Sequence, residues 1–374
     1  MYDVAIIGGG IAGLSAAANL APLGSVALLE AEPILGYHAT GRSAALYTEC
    51  YGPGVIPRLT MASRSFFTEG AEVFGTPRGV MFVGTRSQVE ITATLHAQYS
   101  TMVPDLERVP QHRIRDLCPV IDTSVITHGL LEPRAMDLDV AGIEQAFRKK
   151  AIHHGADIFV GAPVTSIRRA ATWGLHAGEQ DVRARILVNA AGAWGDAVAL
   201  LAGIAPLGLR PLTRSAFLTG TASDPRTWPM VVDVAERWYF KPEGPNILGS
   251  AASELPSPPM DARPSEEDVA LGIERINTVT SLGIRSVVST WAGLRTFTPD
   301  RTPAVGFDGG DPTFFWLVGQ GGYGIKTSPA MGRLAAGLIS QGSVPDDLRE
   351  LGVTAAELDP ARFHHPRHPS PPAR

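Results

Sequence analysis

The sequence has little that would cross-link it, chelate a metal or bind a polyanion. Two cysteines, Cys50 and Cys118, stand in 374 residues. That is too few for a disulfide framework, so free thiols in a reducing compartment are expected. No CxxC and no His/Cys cluster with ligand spacing occurs, so no metal is expected. The one His-dense stretch, "FHHPRHPSPPAR", reads as a Pro-rich disordered end. No extended basic run appears and the formal net charge is −5, which removes the electrostatic footprint of a nucleic-acid partner. No uninterrupted apolar stretch of about 20 residues is present, so no transmembrane segment is expected. The opening run "VAIIGGGIAGLSAAANLA" approaches a signal-peptide core, but it lacks a basic start and carries close-spaced glycines. A cytoplasmic protein is expected, with peripheral attachment to the inner membrane as the variant. The hydrophobic content of 44% supports a large core and two domains.

What is present begins at once. Residues 3–7, "DVAII", predict a buried strand, and "GGGIAG" places Gly8, Gly10 and Gly13 in GxGxxG spacing. An Ala-rich helix follows to Gly24, and then a second strand, "SVALLE", ends at Glu30. Gly8 permits the tight turn, Gly10 admits a pyrophosphate to the backbone, and Gly13 lets helix and strand pack closely. The helix N-terminus offers N–H groups and a positive dipole end to phosphate. Glu30 is placed to accept from ribose hydroxyls, which disfavours a 2′-phosphate. A lone GxGxxG is a weak signal, whereas strand, glycines, helix, strand and terminal acid in register are a strong one. The alternative is a Gly-rich turn with no ligand.

The motif alone does not separate NAD from FAD. In a nicotinamide enzyme the second strand usually runs into another βα unit. Here it leads into "AEPILGYHATGRSAALYTECYG", a Gly-punctuated segment long enough to follow an extended dinucleotide. Arg42 and Ser43 supply donors for phosphate or flavin oxygens, and Ala44 and Ala45 are small enough to lie against a ring edge.

This segment resembles the flavin-binding stretch of the D-amino-acid oxidase superfamily, most closely its bacterial D-arginine dehydrogenase branch. The resemblance continues in order through "LVNAAGAWGDAVA", "RSAFLTG", "WPMVVDVAERWYFKP", "TWAGLRTFTPD" and "FFWLVGQGGYGIKTS". It implies an α/β (α+β) fold: a glutathione-reductase-type FAD-binding Rossmann domain (residues 1–75, 138–206 and 299–350) and a mixed-sheet substrate domain (76–137 and 207–298). Residues 351–374 are left as a C-terminal tail. Local patterns agree with these bounds. Val140, Ile143, Phe147 and Ala151 share one helical face, with Gly155 as the stop. A last helix is predicted from Ser328, with Pro329 in its first turn and Gly342 at its end. Residues 253–265 are the loosest internal stretch.

The resemblance also implies the site. The cofactor is non-covalent FAD, for which Ile11, Ala12, Ala31, Ala191, Gly192, Trp194, Gly322, Tyr323, Gly324 and Ile325 join the residues above. The backbone of Val164 meets adenine. Arg214 and Arg295 match the carboxylate-binding arginines, a role that suits a guanidinium fork. The alternative for each is an ordinary ion pair. Tyr51 and Tyr239 match the tyrosines that close the pocket, so residues 36–45 line the flavin and 46–52 fold over the substrate as a lid. Lys326, just ahead of the last helix, faces an anionic partner; the alternative is a solvent-facing lysine.

Departures from the branch concern the pocket, to which Thr48 and Gly322 also belong. Val80 stands where the branch has a substrate-binding glutamate, and Leu46 where it has a histidine. Met230 and Val232 add apolar walls, and the direction of Glu49 stays open. The activity implied is oxidation of a neutral or hydrophobic D-amino acid, with a quinone or O2 as acceptor. An O2-using glycine-, sarcosine- or proline-type amine oxidase is the alternative, and a non-catalytic flavin-binding protein the remote one.

Overall fold

The structure is a computed structural model that describes residues 1–363; the "HPRHPSPPAR" end lies outside the described residues. Two large sheets carry the architecture. The first has a parallel core in the order Asp157–Phe159, Val26–Leu29, Tyr2–Ile7, Gln180–Asn189, Phe314–Val318. Helices Ile11–Leu20, Val140–His153 and Gly324–Gln341 pack on one face of it. The long strand Gln180–Asn189 turns antiparallel at its start and pairs with Trp173–Ala177. This is the Rossmann-type arrangement expected from the opening motif. The helix Val140–His153 buries Ile143, Phe147 and Ala151 as its period requires.

The second sheet has nine strands, in the order Leu255–Pro256, Arg210–Thr219, Asn246–Ser250, Tyr239–Glu243, Met230–Asp233, Val80–Thr85, Ile126–Glu132, Glu107–Pro110, with Ser289–Phe297 pairing alongside Arg210–Thr219. One face is closed by helix Glu266–Val279, whose Ile276 shares a core with Phe217 and Phe240 of the sheet. The other face, with Val80, Phe82, Met230 and Tyr239, looks back toward the first sheet. A small sheet of Leu46–Tyr47, Met136–Leu138 and Gly75–Pro77 forms beside the two.

Two expectations change. The last helix starts at Gly324, so Pro329 lies inside it rather than in its first turn, and Lys326 belongs to the first turn rather than ahead of it. Proline cannot donate to the Ile325 carbonyl; Ser328 Oγ donates to it instead at 2.8 Å. The described part of the presumed tail, 351–363, is packed: Leu358 is buried, and Arg362 donates to the Thr302 and Pro303 carbonyls and pairs with Asp300.

The glycine spacing has a steric basis. A Cβ on Gly13 would lie 1.9 Å from the Gly8 carbonyl oxygen, and Gly8 itself has φ +109°. Gly13→Ala should therefore lower stability by at least about 1–3 kcal/mol, the overpacking range. Denaturant unfolding of the purified protein checks this; an unchanged midpoint would contradict the close approach.

Candidate active site

Between the sheets runs a cleft of about 540 Å³. It is lined by every residue that the sequence assigned to cofactor or substrate except Gly13 and Tyr323. Gly13 acts through packing, as argued above. The Tyr323 ring packs on Tyr51 and Phe297 at centroid distances of 5.3 and 6.1 Å, so its side chain is a support behind the cleft.

At the nucleotide end, Gly8, Gly10, Ile11 and Ala12 form the floor, with Glu30 and Ala31 beside them. The Glu30 carboxylate accepts from the Gly9 and Glu32 N–H groups at 2.5 and 2.8 Å, which fixes its direction. Thr40 Oγ1, which the sequence reading missed, accepts from Ile11 N–H at 3.0 Å. Val164, Ala191, Gly192 and Trp194 form the opposite wall, and His38 bonds Glu32 at 2.9 Å. Arg42 departs from expectation. Its guanidinium is taken up by the Ala262 and Ala292 carbonyls and by Asp261, so it ties residues 261–262 to the cleft instead of offering a fork to a phosphate.

The substrate end is dominated by cations. Arg295 is half-buried; its Nη2 donates to Tyr51 Oη at 3.1 Å, while Nη1, itself inaccessible, has no hydrogen-bond partner. Arg214 donates Nε and Nη2 to the Ser253 and Ala252 carbonyls. Both approach Glu254, at 3.9 Å from Arg295 and 3.4 Å from Arg214, and Arg301 chelates the same carboxylate at 2.8 and 3.0 Å. Burial pushes the Glu254 carboxyl up, but the three guanidiniums outweigh it and hold it below the usual range. Burial, then the neighbouring Arg295, lowers the affinity of Arg214 for its proton. Three cations against one carboxylate leave this end positive. Glu254 was missed because it lies in the loose 253–265 stretch, where nothing local marks it.

Apolar side chains complete the chamber: Leu46, Val80, Phe82, Met230, Val232 and Trp291, with Tyr239 buried beside them. Glu236 stands at the end of the Val232–Tyr239 hairpin with no ion-pair partner among the described residues and was also missed. Glu49 points away from the chamber, accepting from Tyr47 Oη at 2.5 Å and facing Arg64 at 3.5 Å. Lys326 is buried rather than solvent-facing, donating to the Thr48 and Tyr51 carbonyls at 2.7 and 2.5 Å. Desolvation lowers its amine to about 7, against the pull of buried Glu132.

Backbone strain concentrates here. Four non-glycine residues among those described have left-handed φ: Ala45, Glu236, Ala252 and Arg301. Three line the cleft and the fourth chelates Glu254, the clustering expected of a functional site.

A parallel sheet whose strand–glycine turn–helix floors a long cleft, with an acid after the second strand, defines a dinucleotide-binding oxidoreductase. The chain belongs to the family of FAD dependent oxidoreductases (DAO), whose model matches residues 3–338. Mouse mitochondrial dimethylglycine dehydrogenase is 25% identical across 96% of this chain, which spans only 44% of that protein. Glycerol-3-phosphate dehydrogenase 1 of Mycobacterium tuberculosis is 26% identical over 78% of this chain and 62% of its own. Among solved structures, L-proline dehydrogenase from P. horikoshii superposes with a TM-score of 0.84 at 22% identity, covering 96% of this chain and 97% of that one. Glycine oxidase from Geobacillus kaustophilus gives 0.81 at 21% identity, covering 99% of each. The family model identifies the family and the solved structures the fold; the D-arginine branch follows from neither.

FAD is the cofactor of this family, and the residues fit it. Among the described residues, the buried side-chain polar atoms without partners are Arg295 Nη1 and both ends of the Gln320 amide, and both residues line the cleft. Such atoms normally find partners. Glu30 and the helix turn at Gly10 suit the adenosine and pyrophosphate, and Ala44 and Ala45 suit a ring. His38, the one histidine lining the cleft among the described residues, is engaged by Glu32. Acid precipitation should therefore release the yellow colour into the supernatant. A pellet that stays yellow would establish a covalent link.

Proposed function

We propose that the chain is an FAD-dependent dehydrogenase of a D-amino acid with a neutral, apolar side chain, yielding an imino acid that hydrolyses to a 2-oxo acid and ammonia. The observation that carries this reading is Arg295 Nη1, a buried guanidinium nitrogen in the cleft that makes no hydrogen bond and has only the Glu254 carboxylate near it, at 3.9 Å. An unsatisfied buried donor costs roughly 1–3 kcal/mol or more, which a substrate carboxylate would offset. Tyr51 Oη, already accepting from Arg295, is oriented to donate to the same carboxylate. Arg214 adds charge and its remaining nitrogen rather than a second full fork, since two of its nitrogens serve carbonyls.

The side chain then lies along Leu46, Val80, Phe82, Met230 and Val232. With Arg214, Arg295 and Lys326 lining this end, an ammonium is electrostatically disfavoured and the amine reacts in its neutral form. When bound, FAD supplies a hydride acceptor at its N5. The protein's part is to anchor the carboxylate, aim Cα, and exclude water with Tyr51 and Tyr239. A quinone or O2 takes the electrons onward.

The D configuration rests on the resemblance carried by Tyr51, Arg214, Tyr239 and Arg295. The rival is oxidation of an N-substituted or cyclic amino acid, which the names of the dimethylglycine and proline dehydrogenases support. Glu236, unpaired at the hairpin end, favours a second variant in which the side chain is cationic. An anaerobic flavin-bleaching screen decides among these. Bleaching by D-Leu or D-Phe, but not by their L forms, sarcosine, dimethylglycine or proline, is expected. Bleaching by the N-substituted set alone would transfer the assignment to the rival, and none by any of them would leave a non-catalytic flavoprotein. Peroxide release under air separates O2 from a quinone as acceptor.

Val80→Glu probes the chamber wall. Val80 pairs in register with Met230 on one side and Glu132 on the other, so the new carboxylate joins a buried acid across the strand. A lower Tm is expected. The kcat/KM ratio of D-Arg to D-Leu should rise by roughly 10- to 100-fold, as for a hydrogen bond to a charged group. An unchanged ratio would remove Val80 from the substrate wall.

A further inference from the structure

Two ionisable side chains of opposite sign are buried beside the substrate end, and the reaction proposed above uses neither as a reacting group. Glu132, at the end of strand Ile126–Glu132, is 1% exposed, and Lys326, in the first turn of helix Gly324–Gln341, is 2% exposed. No direct bond joins them. Each instead binds one side of the turn 48–51. The Glu132 carboxylate accepts from Thr48 Oγ1 at 2.5 Å, Glu49 N–H at 2.7 Å and Cys50 N–H at 3.3 Å. Lys326 Nζ donates to the Thr48 and Tyr51 carbonyls. It also lies 5.3 and 5.6 Å from the centroids of the Tyr51 and Tyr323 rings.

The chemistry of the two sides matches. This turn presents N–H groups to one neighbour and carbonyls to the other, and buried backbone groups must be paired. A carboxylate supplies acceptors only and an ammonium donors only, so each meets the side it can satisfy. The turn also carries two residues of the substrate end: Thr48, and Tyr51 with its contact to Arg295.

We propose that Glu132 and Lys326 are positioning residues, a split pair of buried charges that clamps the 48–51 turn from both sides and so sets Tyr51 against the substrate-binding face of Arg295. This rests on the reading of Arg295 and Tyr51 as the carboxylate anchor. On that reading, the 46–52 segment expected to fold over the substrate as a lid is a fixed wall.

The test uses the FAD-loaded enzyme, Lys326→Met, Glu132→Gln and the double variant. The first readout is benzoate binding, followed by the flavin absorbance change, which needs no knowledge of the substrate. Each single variant should weaken benzoate roughly 10- to 100-fold, the range for a lost hydrogen bond to a charged group. In Lys326→Met two buried carbonyls lose their donor, and in Glu132→Gln an amide N–H is turned toward the N–H of Glu49 or Cys50. The double variant should lose less than the product of the single losses, because the two residues act on one turn. The second readout uses the proteins stripped of flavin: chymotryptic cleavage between 47 and 51, mapped by mass spectrometry, should accelerate in both single variants.

A merely structural role would lower Tm without coupling the two losses, so losses that multiply overturn the clamp. Unchanged benzoate affinity with unchanged cleavage overturns it as well. Failure of the wild type itself to bind benzoate, with cleavage still accelerated in the variants, would overturn the anchor reading of Arg295 and keep the clamp only as a backbone device. If a single variant fails to fold, Lys326→Gln and Glu132→Asp, which retain a donor and an acid, carry the same comparison.

Discussion

Room for one guanidinium shapes the whole substrate end. A Cβ on Gly322 would fall 1.6 Å from Arg295 Nη2, one on Gly321 would fall 2.1 Å from the Phe297 ring, and one on Gly319 would fall 2.6 Å from Thr298 Cγ2. Three of the four glycines of "GQGGYG" are thus moulded around the end of strand Ser289–Phe297. Because the loop yields that space, Arg295 can lie half-buried beneath it and line the cleft. Burial in turn demands a counter-ion, and Glu254 meets the demand from a stretch with little regular structure. Arg301 holds that carboxylate in place, and its left-handed backbone is part of the cost.

Much of this fold was legible because the signals were local. The opening motif reads correctly since Gly13 answers a contact within its own βα unit, the Gly8 carbonyl, although Gly8 and Gly10 also meet Ala190 and Thr40 from outside it. The Val140–His153 helix reads correctly since one period sorts core from solvent. The last helix was mis-started for an equally local reason. Proline is favoured in a first turn, but here Ser328 satisfies the carbonyl that Pro329 cannot, which lets the helix begin at Gly324.

What was hidden depends on partners far along the chain. Arg42 looked like a phosphate donor, and only the fold brings Ala262, Ala292 and Asp261 to it. Tyr323 lay in a cofactor loop by position, yet the Phe297 and Tyr51 rings draw its side chain behind the cleft. Glu132 follows an unremarkable apolar strand, and nothing near it in sequence announces that the turn 48–51 needs an acceptor. Which residues line the cleft was therefore largely legible, while the directions of their side chains were not.

Buried ions are a poor means of gaining stability, since well-packed apolar residues often do as well or better. Retaining Glu132 and Lys326 makes sense only if the wall they face cannot be made apolar. The turn 48–51 runs beside the substrate chamber outside regular structure, so its amides and carbonyls have no neighbouring strand to pair with. Water would satisfy them, but water there would also hydrate a carboxylate bound to Arg295 as proposed and weaken that contact. Anhydrous partners on both sides resolve the conflict. The desolvation that pushes Lys326 down to about 7 and raises the Glu132 carboxyl is then the same property that keeps the substrate end dry.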